Sequence, residues 1–342
     1  MSLLVTGGNG FVMSNFVRQW LERKPEEIVT VLDRDAPDDV AQRYFGPFAG
    51  RIRWIKSDIG ARQTWQDEAS RHGIDQIVHG AALTPHPWVD NSGTTHDPER
   101  EMPERIIDVN LGGTLATLAF ARSLPHCRRL VVVSTGSVYG DDGPDDRPLP
   151  EFGYVSPGTL YGISKYAAEL VAGRYANLFD LPVVAVRLAS VFGPMDRVLP
   201  SRHVICAPNQ MTALALAGEP IRLNSSDGVG DWISALDVAN ALTALLEAER
   251  PQHSTYNIAS GSAKTLAYLA ELTASLVPGT TWSVDPEQAN VVADPGRRLG
   301  QWGAYDISLM QREFGWAPGS LEHRLADYIV WRRTEEKSEA AV

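Results

Sequence analysis

Ser2-Leu-Leu-Val-Thr-Gly-Gly-Asn-Gly-Phe11 opens the chain. Residues 2–6 form a short apolar run that reads as a buried strand. Gly7, Gly8 and Gly10 follow at once, and an amphipathic segment then continues to about Arg23. Strand, glycine turn and helix in that order make a phosphate cradle. The glycines let the backbone approach a pyrophosphate, and the helix start offers unpaired N–H groups and a partial positive charge. Residues 28–32, Ile-Val-Thr-Val-Leu, read as the next strand, and Asp33 ends it. An acid there suits the ribose hydroxyls of NAD and repels the extra phosphate of NADP. Arg34, its neighbour, is able to accept such a phosphate, so the pair favours NAD without settling the choice.

The alternation continues outward from this point. Apolar runs at 52–56, 75–79, 129–133 and 183–188 read as strands. Helical patterns lie at about 10–23, 61–72, 103–123 and 158–179. This order predicts an α/β fold, a Rossmann-type doubly wound parallel sheet with helices on both faces. Ligands of such sheets sit at the carboxyl ends of the strands. Ala81, Thr135 and Ser190 follow three of the strands and converge on that edge. The loop at 84–97 is long enough to reach it. Its His86, Trp88 and His96 are either substrate contacts or solvated loop residues. The stretch 141–150 is a loop by its Pro, Gly and Asp content.

Leu160-Tyr-Gly-Ile-Ser-Lys-Tyr-Ala-Ala-Glu169 holds a second group of interest. Tyr161 and Lys165 stand at i and i+4, on one face of a helix. A free phenol has a pKa of about 10, so a base acting near neutrality needs a drop of roughly 3 units, about 4 kcal/mol. A neighbouring ammonium supplies part of that. Tyr-x-x-x-Lys alone is most often a surface pair. It gains meaning from the nucleotide cradle upstream and from the hydroxyl-rich patch Ser134-Thr-Gly-Ser-Val-Tyr-Gly140.

Together these motifs resemble the extended short-chain dehydrogenases/reductases, the NAD-dependent epimerase/dehydratase family. The resemblance runs from Thr6 to about Asp237. It rests on Thr6-Gly-Gly-Asn-Gly10, Asp33, Asp58-Ile59, His79-Gly-Ala-Ala82, Asn110-Leu-Gly-Gly-Thr114, Ser134 to Gly140, Tyr161-x-x-x-Lys165 and Arg187-Leu-Ala-Ser-Val-Phe-Gly-Pro194. It implies an NAD-binding domain over 1–190 with returning pieces at about 229–258. A smaller C-terminal substrate lobe would take 191–228 and 259–335, leaving 336–342 as a tail. It implies that Asp58 and Ile59 border the adenine and that Ala81 and Ala82 line the cofactor groove. Asn9, Phe11, Val12, Val133 and Leu188 would complete the cofactor contacts. The implied catalytic set is Asn110, Thr135, Tyr161 and Lys165, with Asn110 fixing a helix bend and a relay water. Lys165 would also hold the nicotinamide ribose. Substrate contacts are expected from Thr84, Thr135, Gly136, Ser137, Tyr161, Ser190 and Arg197. The family often dimerises through two helices per subunit, here 103–123 and 158–179.

Several departures bear on this expectation. The family's third glycine would fall at Met13, a side chain that must turn from the sheet or push the first helix outward. Gly136 and Ser137 stand where sugar-nucleotide dehydratases commonly carry an acidic pair, so elimination of water lacks its proton shuttle. Nucleotide-sugar epimerases commonly place an asparagine at Ser190 and arginines at Gly230 and before the Pro-Gly of Asp294-Pro-Gly296. Each missing cation removes a charge-assisted contact to a diphosphate worth about 1.5–3 kcal/mol. Arg297 and Arg298 are placed to compensate. The reading is therefore NAD-dependent hydride transfer at a secondary alcohol of a small carbohydrate-like substrate: a free sugar, sugar acid or polyol. The alternative is a nucleotide-sugar epimerase that retains its NAD. A non-catalytic NAD-sensing protein is the third reading, which the intact Tyr161, Lys165 and Thr135 oppose. Arg197, Arg202 and His203 are either carboxylate ligands or a solvated helix start. Asp237 and Asp306 are expected to cap helices, and Trp232, Trp302 and Trp316 to serve packing.

Composition agrees with this class. Hydrophobic residues make up 44% of the 342 and charged residues 21%. The net charge of −11, from 31 basic and 42 acidic side chains, disfavours nucleic acid and anionic membranes as partners. No stretch reaches transmembrane length, and with a strand starting at residue 2 no signal peptide is expected. Cys127 and Cys206 give neither a disulfide framework nor metal spacing. A soluble cytoplasmic enzyme without a metal is the simplest expectation.

Overall fold

Seven parallel strands form the centre of the molecule, in the order β3 (Ile52–Lys56), β2 (Ile28–Asp33), β1 (Ser2–Thr6), β4 (Gln76–His79), β7 (Arg129–Thr135), β8 (Val183–Leu188) and β12 (Thr255–Ile258). The computed structural model describes residues 2–90, 92–140, 147–153, 155–291 and 304–340. In chain order the first half comprises β1 (Ser2–Thr6), α1 (Phe11–Arg23), β2 (Ile28–Asp33), α2 (Asp39–Phe45), β3 (Ile52–Lys56), α3 (Arg62–Ala69) and β4 (Gln76–His79). A hairpin of β5 (Trp88–Val89) and β6 (Thr95–His96) follows, then α4 (Pro98–Glu101), α5 (Pro103–Ile107), α6 (Gly113–Ser123), β7 (Arg129–Thr135), α7 (Leu160–Phe179) and β8 (Val183–Leu188). The second half adds β9 (Ser190–Phe192), α8 (Ala207–Ala217), β10 (Ile221–Leu223), β11 (Val229–Ser234), α9 (Ala235–Glu247) and β12 (Thr255–Ile258). It ends with β13 (Ala263–Thr265), α10 (Leu266–Leu276), β14 (Trp282–Val284), α11 (Ser308–Phe314) and α12 (Leu321–Ala340).

The strands are apolar on both faces because helices cover both faces. One core cluster joins Val5, Phe16, Val31, Val131 and Val186 to α1 and α9. The other joins Leu4, Ile77, Leu130 and Val132 to α3 and α6. The strands run outward from β1 to β3 on one side and from β4 to β12 on the other, so the winding of the sheet reverses between β1 and β4 and opens a crevice at their carboxyl ends. Gly7 and Gly80 leave those strands side by side, with Gly7 N donating to Leu32 O at 2.8 Å and Gly80 N to Thr6 O at 3.1 Å.

A third cluster, around Met211, Leu269, Tyr328 and Ile329, forms the smaller lobe. Tyr305, Met310 and Trp316 lie instead in the core of the large sheet, so the expected lobe over 259–335 is interrupted there. Helix α12 continues to Ala340, into the stretch expected as a tail.

The expected helix 103–123 is broken. A π-turn occupies Asp108–Gly112 between α5 and α6, the bend assigned to Asn110. Asp237 does not cap α9: the Ser234 side chain accepts from Leu236 N, and Asp237 lies inside the first turn. There it accepts from Arg324 at 3.0 Å and from Gly319 N at 3.1 Å, tying α12 to α9. Asp306 accepts from Ser308 N at 2.9 Å, two residues ahead of it at the start of α11. Trp302, Asp294, Gly296, Arg297, Arg298 and most of the loop 141–150 lie outside the described residues.

Candidate active site

The crevice divides into two joined hollows of about 120 and 380 Å³ that share Gly7, Gly10, Gly80 and Ala82. The smaller one lies over β1 and β2. Gly7 has φ +70°, and a β-carbon there would stand 2.8 Å from Ala81 Cα, so only glycine permits this approach. Gly8 plays a different part from the one expected: a β-carbon on it would meet Val31 Cγ1 at 2.6 Å, so it packs on β2 and does not line either hollow. Asp33 accepts from Asn9 N at 2.9 Å and Asp35 N at 3.2 Å. Burial raises its pKa against those N–H bonds. Arg34 is held by Asp35 at 2.9 Å, which occupies the guanidinium that a phosphate would otherwise use.

Asp58 and Ile59 close the far end of this hollow. Burial raises the Asp58 pKa, but Gly60 N–H and the Arg105 ion pair outweigh it and hold the carboxyl low. Beneath the floor, His79 is fully buried and driven down to about 3 by desolvation, so it is neutral. It bonds Thr6 at 2.8 Å, and the Thr6 hydroxyl in turn accepts from Ala81 N at 3.2 Å.

These residues fit a dinucleotide. The bare glycine backbone faces the hollow, the Asp33 carboxylate stands at the end of β2, and Asn9 Oδ1 is buried without a hydrogen-bond partner among the described residues.

The larger hollow brings together most of the expected reactive residues. Thr135, Gly136, Ser137, Tyr161 and Lys165 line it, as do Phe11, Val12, Val133, Leu188, Ser190 and Thr84. Tyr161 comes from the first turn of α7, started by Thr159, whose hydroxyl accepts from Gly162 N at 3.1 Å. The buried Arg187–Glu169 pair, 2.7 Å, fastens α7 to β8, and Glu169 also takes the Ser134 hydroxyl.

Burial raises the Tyr161 pKa; a hydrogen bond with Thr135 and the charge of Arg202 pull it down. The expected tuning by Lys165 is not what acts on Tyr161 in this arrangement. Lys165 is itself pushed down to about 8 by burial, against the charge of Glu169. The Thr135 hydroxyl also accepts from Ser137 N and bonds Ser137 Oγ, both at 3.2 Å, so it serves its own turn as well as Tyr161. Asn110 exchanges two bonds with the Leu83 backbone, at 2.9 and 3.1 Å, and donates to Ser164 Oγ at 3.2 Å. It ties the groove wall to α7 one turn from Tyr161.

Arg197 lies outside the cleft. Its guanidinium pairs with Asp38 at 2.8 Å and reaches Asn9 O at 3.4 Å, so it braces the glycine turn from behind. Arg202 stands in the cleft instead, held by Asp196 at 2.9 Å and lying 5.3 Å over the Phe11 ring. His86 lines the cleft, whereas Trp88 is sandwiched between His96 and His203, at 4.3 and 4.2 Å. Trp232, expected as packing, has an edge in the cleft, and a β-carbon on Gly230 would lie 2.7 Å from its indole. Tyr305 was not legible as a site residue, yet it lines the cleft too. The one signal pointing to it was the bare Gly136.

Comparison with known proteins agrees with this architecture. The family model described as "NAD dependent epimerase/dehydratase family" matches residues 3–259. A dTDP-glucose 4,6-dehydratase of Mycolicibacterium smegmatis is 29% identical over 345 residues, covering 98% of this chain and 94% of that protein. The UDP-glucose 4-epimerase structure from Thermotoga maritima superposes with a TM-score of 0.79 at 22% identity, covering 98% of this chain and 99% of that one. The dTDP-glucose 4,6-dehydratase of Bacillus anthracis, solved with NAD, superposes with a TM-score of 0.77 at 23% identity and 98% coverage of both. With a motif set, a sheet order and a family match that agree, the chain belongs to the NAD-dependent epimerase/dehydratase family, enzymes of the extended short-chain dehydrogenase/reductase class that use NAD.

Proposed function

We propose that the protein is an epimerase that inverts a secondary alcohol of a nucleotide sugar and keeps its NAD between turnovers. The observation that carries this reading is the Thr135–Tyr161 pair beside buried Lys165, with Gly136 and Ser137 where elimination would need acids. Relatives named as dTDP-glucose dehydratases supply the substrate class, and the missing acids argue against their elimination step. The expectation of a free sugar or polyol gives way to this reading.

NAD, when bound, supplies the hydride acceptor and returns the hydride. Tyr161 takes the proton of the reacting hydroxyl and gives it back after the oxidised sugar has turned its other face. Thr135 orients that hydroxyl and donates to the tyrosine oxygen as it becomes negative. Arg202 places positive charge beside that oxygen, which favours the phenolate. The cleft walls of Leu188, Val133 and Phe11 exclude water from the exchange.

A second reading, a dehydrogenase of a free sugar or sugar acid, is favoured by one observation. The Trp232 ring covers Gly230, where nucleotide-sugar enzymes place an arginine. Incubating the purified protein with UDP- and dTDP-hexoses, then with free sugars and sugar acids, separates the two. An epimer detected by NMR without net reduced cofactor supports the proposal. Stoichiometric NADH from a free sugar selects the second reading, and a 4-keto-6-deoxy product overturns both.

A further inference from the structure

Gly136, the residue after Thr135, is covered by a tyrosine from far along the chain. A β-carbon on Gly136 would lie 1.3 Å from Tyr305 Oη, 2.3 Å from Cζ and 2.9 Å from Cε2. The phenol therefore fills the space that a side chain at 136 would take, and it lines the same cleft as Thr135 and Tyr161. Its position is fixed from behind. Tyr305 N donates to Asp231 at 3.1 Å, while Leu149 bonds the residues on either side, Ala304 O at 2.8 Å and Asp306 N at 2.9 Å. The ring meets Tyr139 edge-on with centroids 5.4 Å apart. At 2% exposure the side chain has little room to swing away.

We infer that Tyr305 is a substrate-contacting residue whose hydroxyl holds a second hydroxyl of the sugar, one neighbouring the reacting carbinol. The inference rests on the sugar-nucleotide reading and deepens it. Thr135 and Tyr161 serve the reacting oxygen. A substituent on an adjacent carbon lies about one hydrogen-bond length, roughly 3 Å, from that oxygen. Gly136 adjoins Thr135 in the same cleft, and the phenol that covers it is therefore the group delivered next to the reacting oxygen. A phenol titrates at about 10 and a carboxylic acid at about 4, so the phenol holds a hydroxyl without driving its loss. Gly136 is the counterpart that admits it.

The test compares wild type and Tyr305→Phe on a UDP- or dTDP-hexose and on its 3-deoxy and 6-deoxy analogues. Tyr305→Phe is expected to lower kcat/KM for the parent sugar about tenfold, the scale of one hydrogen bond. The analogue lacking the held hydroxyl is converted equally by both enzymes. A fold defect scales all three substrates alike, so the ratio between substrates decides even if the variant melts lower or carries less NAD. No loss on the parent, or the same loss on all three, overturns the inference and leaves the epimerase reading intact. A wild type that converts no nucleotide sugar overturns the two together.

Discussion

Met13 lies against the bare backbone of Gly80: a β-carbon there would stand 2.4 Å from Met13 Cγ and 2.6 Å from its sulfur. The family's third glycine is absent from the first helix, and the close approach is made instead by a glycine at the end of β4. Met13, expected either to turn from the sheet or to push α1 outward, is buried to 3% exposure in the core cluster that joins α1 to the sheet. Gly80→Ala is expected to cost about 1–3 kcal/mol by overpacking. Met13→Ala alone leaves a cavity and costs about 2–3 kcal/mol. The double variant should be more stable than the sum of the two losses, because the new methyl enters the space that the methionine leaves. Denaturant melts of the four proteins measure this, and strict additivity would show that the two residues do not share that space.

Lys165 is held in a site that disfavours its charge. Burial lowers its pKa from 10.5 to about 8, so the unfolded chain binds that proton better than the native one. The cost is therefore full below pH 8 and is relieved as pH rises from about 8 toward 10.5. Lys165→Met removes it. The NAD-free variant should be more stable at pH 7 by on the order of 1–3 kcal/mol, a few degrees in Tm, while turnover is lost. The gain should shrink above pH 8. A variant that melts lower than wild type at neutral pH would count against this placement of the lysine.

Local features carried the readings that held. The glycine turn, the strand ending at Asp33 and the Tyr161–Lys165 spacing each depend on a few adjacent residues, and periodicity or backbone sterics expose them directly. What was not legible depends on distant partners. Arg197 and Arg202 are equivalent in sequence, and only the folded chain sets Asp38 against one and the cleft beside the other. Asp237 has the composition of a cap, but Ser234 is nearer the helix start and Arg324 claims the carboxylate. Tyr305 reaches Gly136 only because Asp231 and Leu149 fix its backbone beside β7. The π-turn was implied by the family resemblance through Asn110, whereas the helical pattern across 103–123 hid it.

Asp33 should decide the cofactor. Its two oxygens already accept backbone N–H bonds, so its remaining lone pairs face the hollow over β2. Asp33→Ser is expected to weaken NAD binding about 10–100-fold, the loss of a charged hydrogen-bond acceptor. Adding Asp35→Ala releases Arg34 from its ion pair and should bring NADP binding up. Calorimetric titration of both cofactors on protein stripped of NAD measures the two steps. Unchanged NAD affinity in the serine variant would place the ribose elsewhere.

Helix α7 presents an uncovered apolar stripe on the side away from the cleft. Ile163, Leu170 and Leu178 are 45%, 58% and 52% exposed, and their spacing of seven and eight residues puts them on one side of the helix. Met102, at 43% exposure, precedes the neighbouring α5. Such a stripe is stable in water when a copy of itself covers it, since a two-fold axis through a helix pairs each patch with its own image. The protein is expected to run as a dimer in light scattering at micromolar concentration. Leu170→Arg, a charge at the middle of the stripe, should shift it to a monomer without unfolding it. Because Tyr161 and Lys165 sit on the same helix, freeing its outer face should also loosen the pair and lower turnover several-fold. A Leu170→Arg protein that stays dimeric would move the interface to another surface.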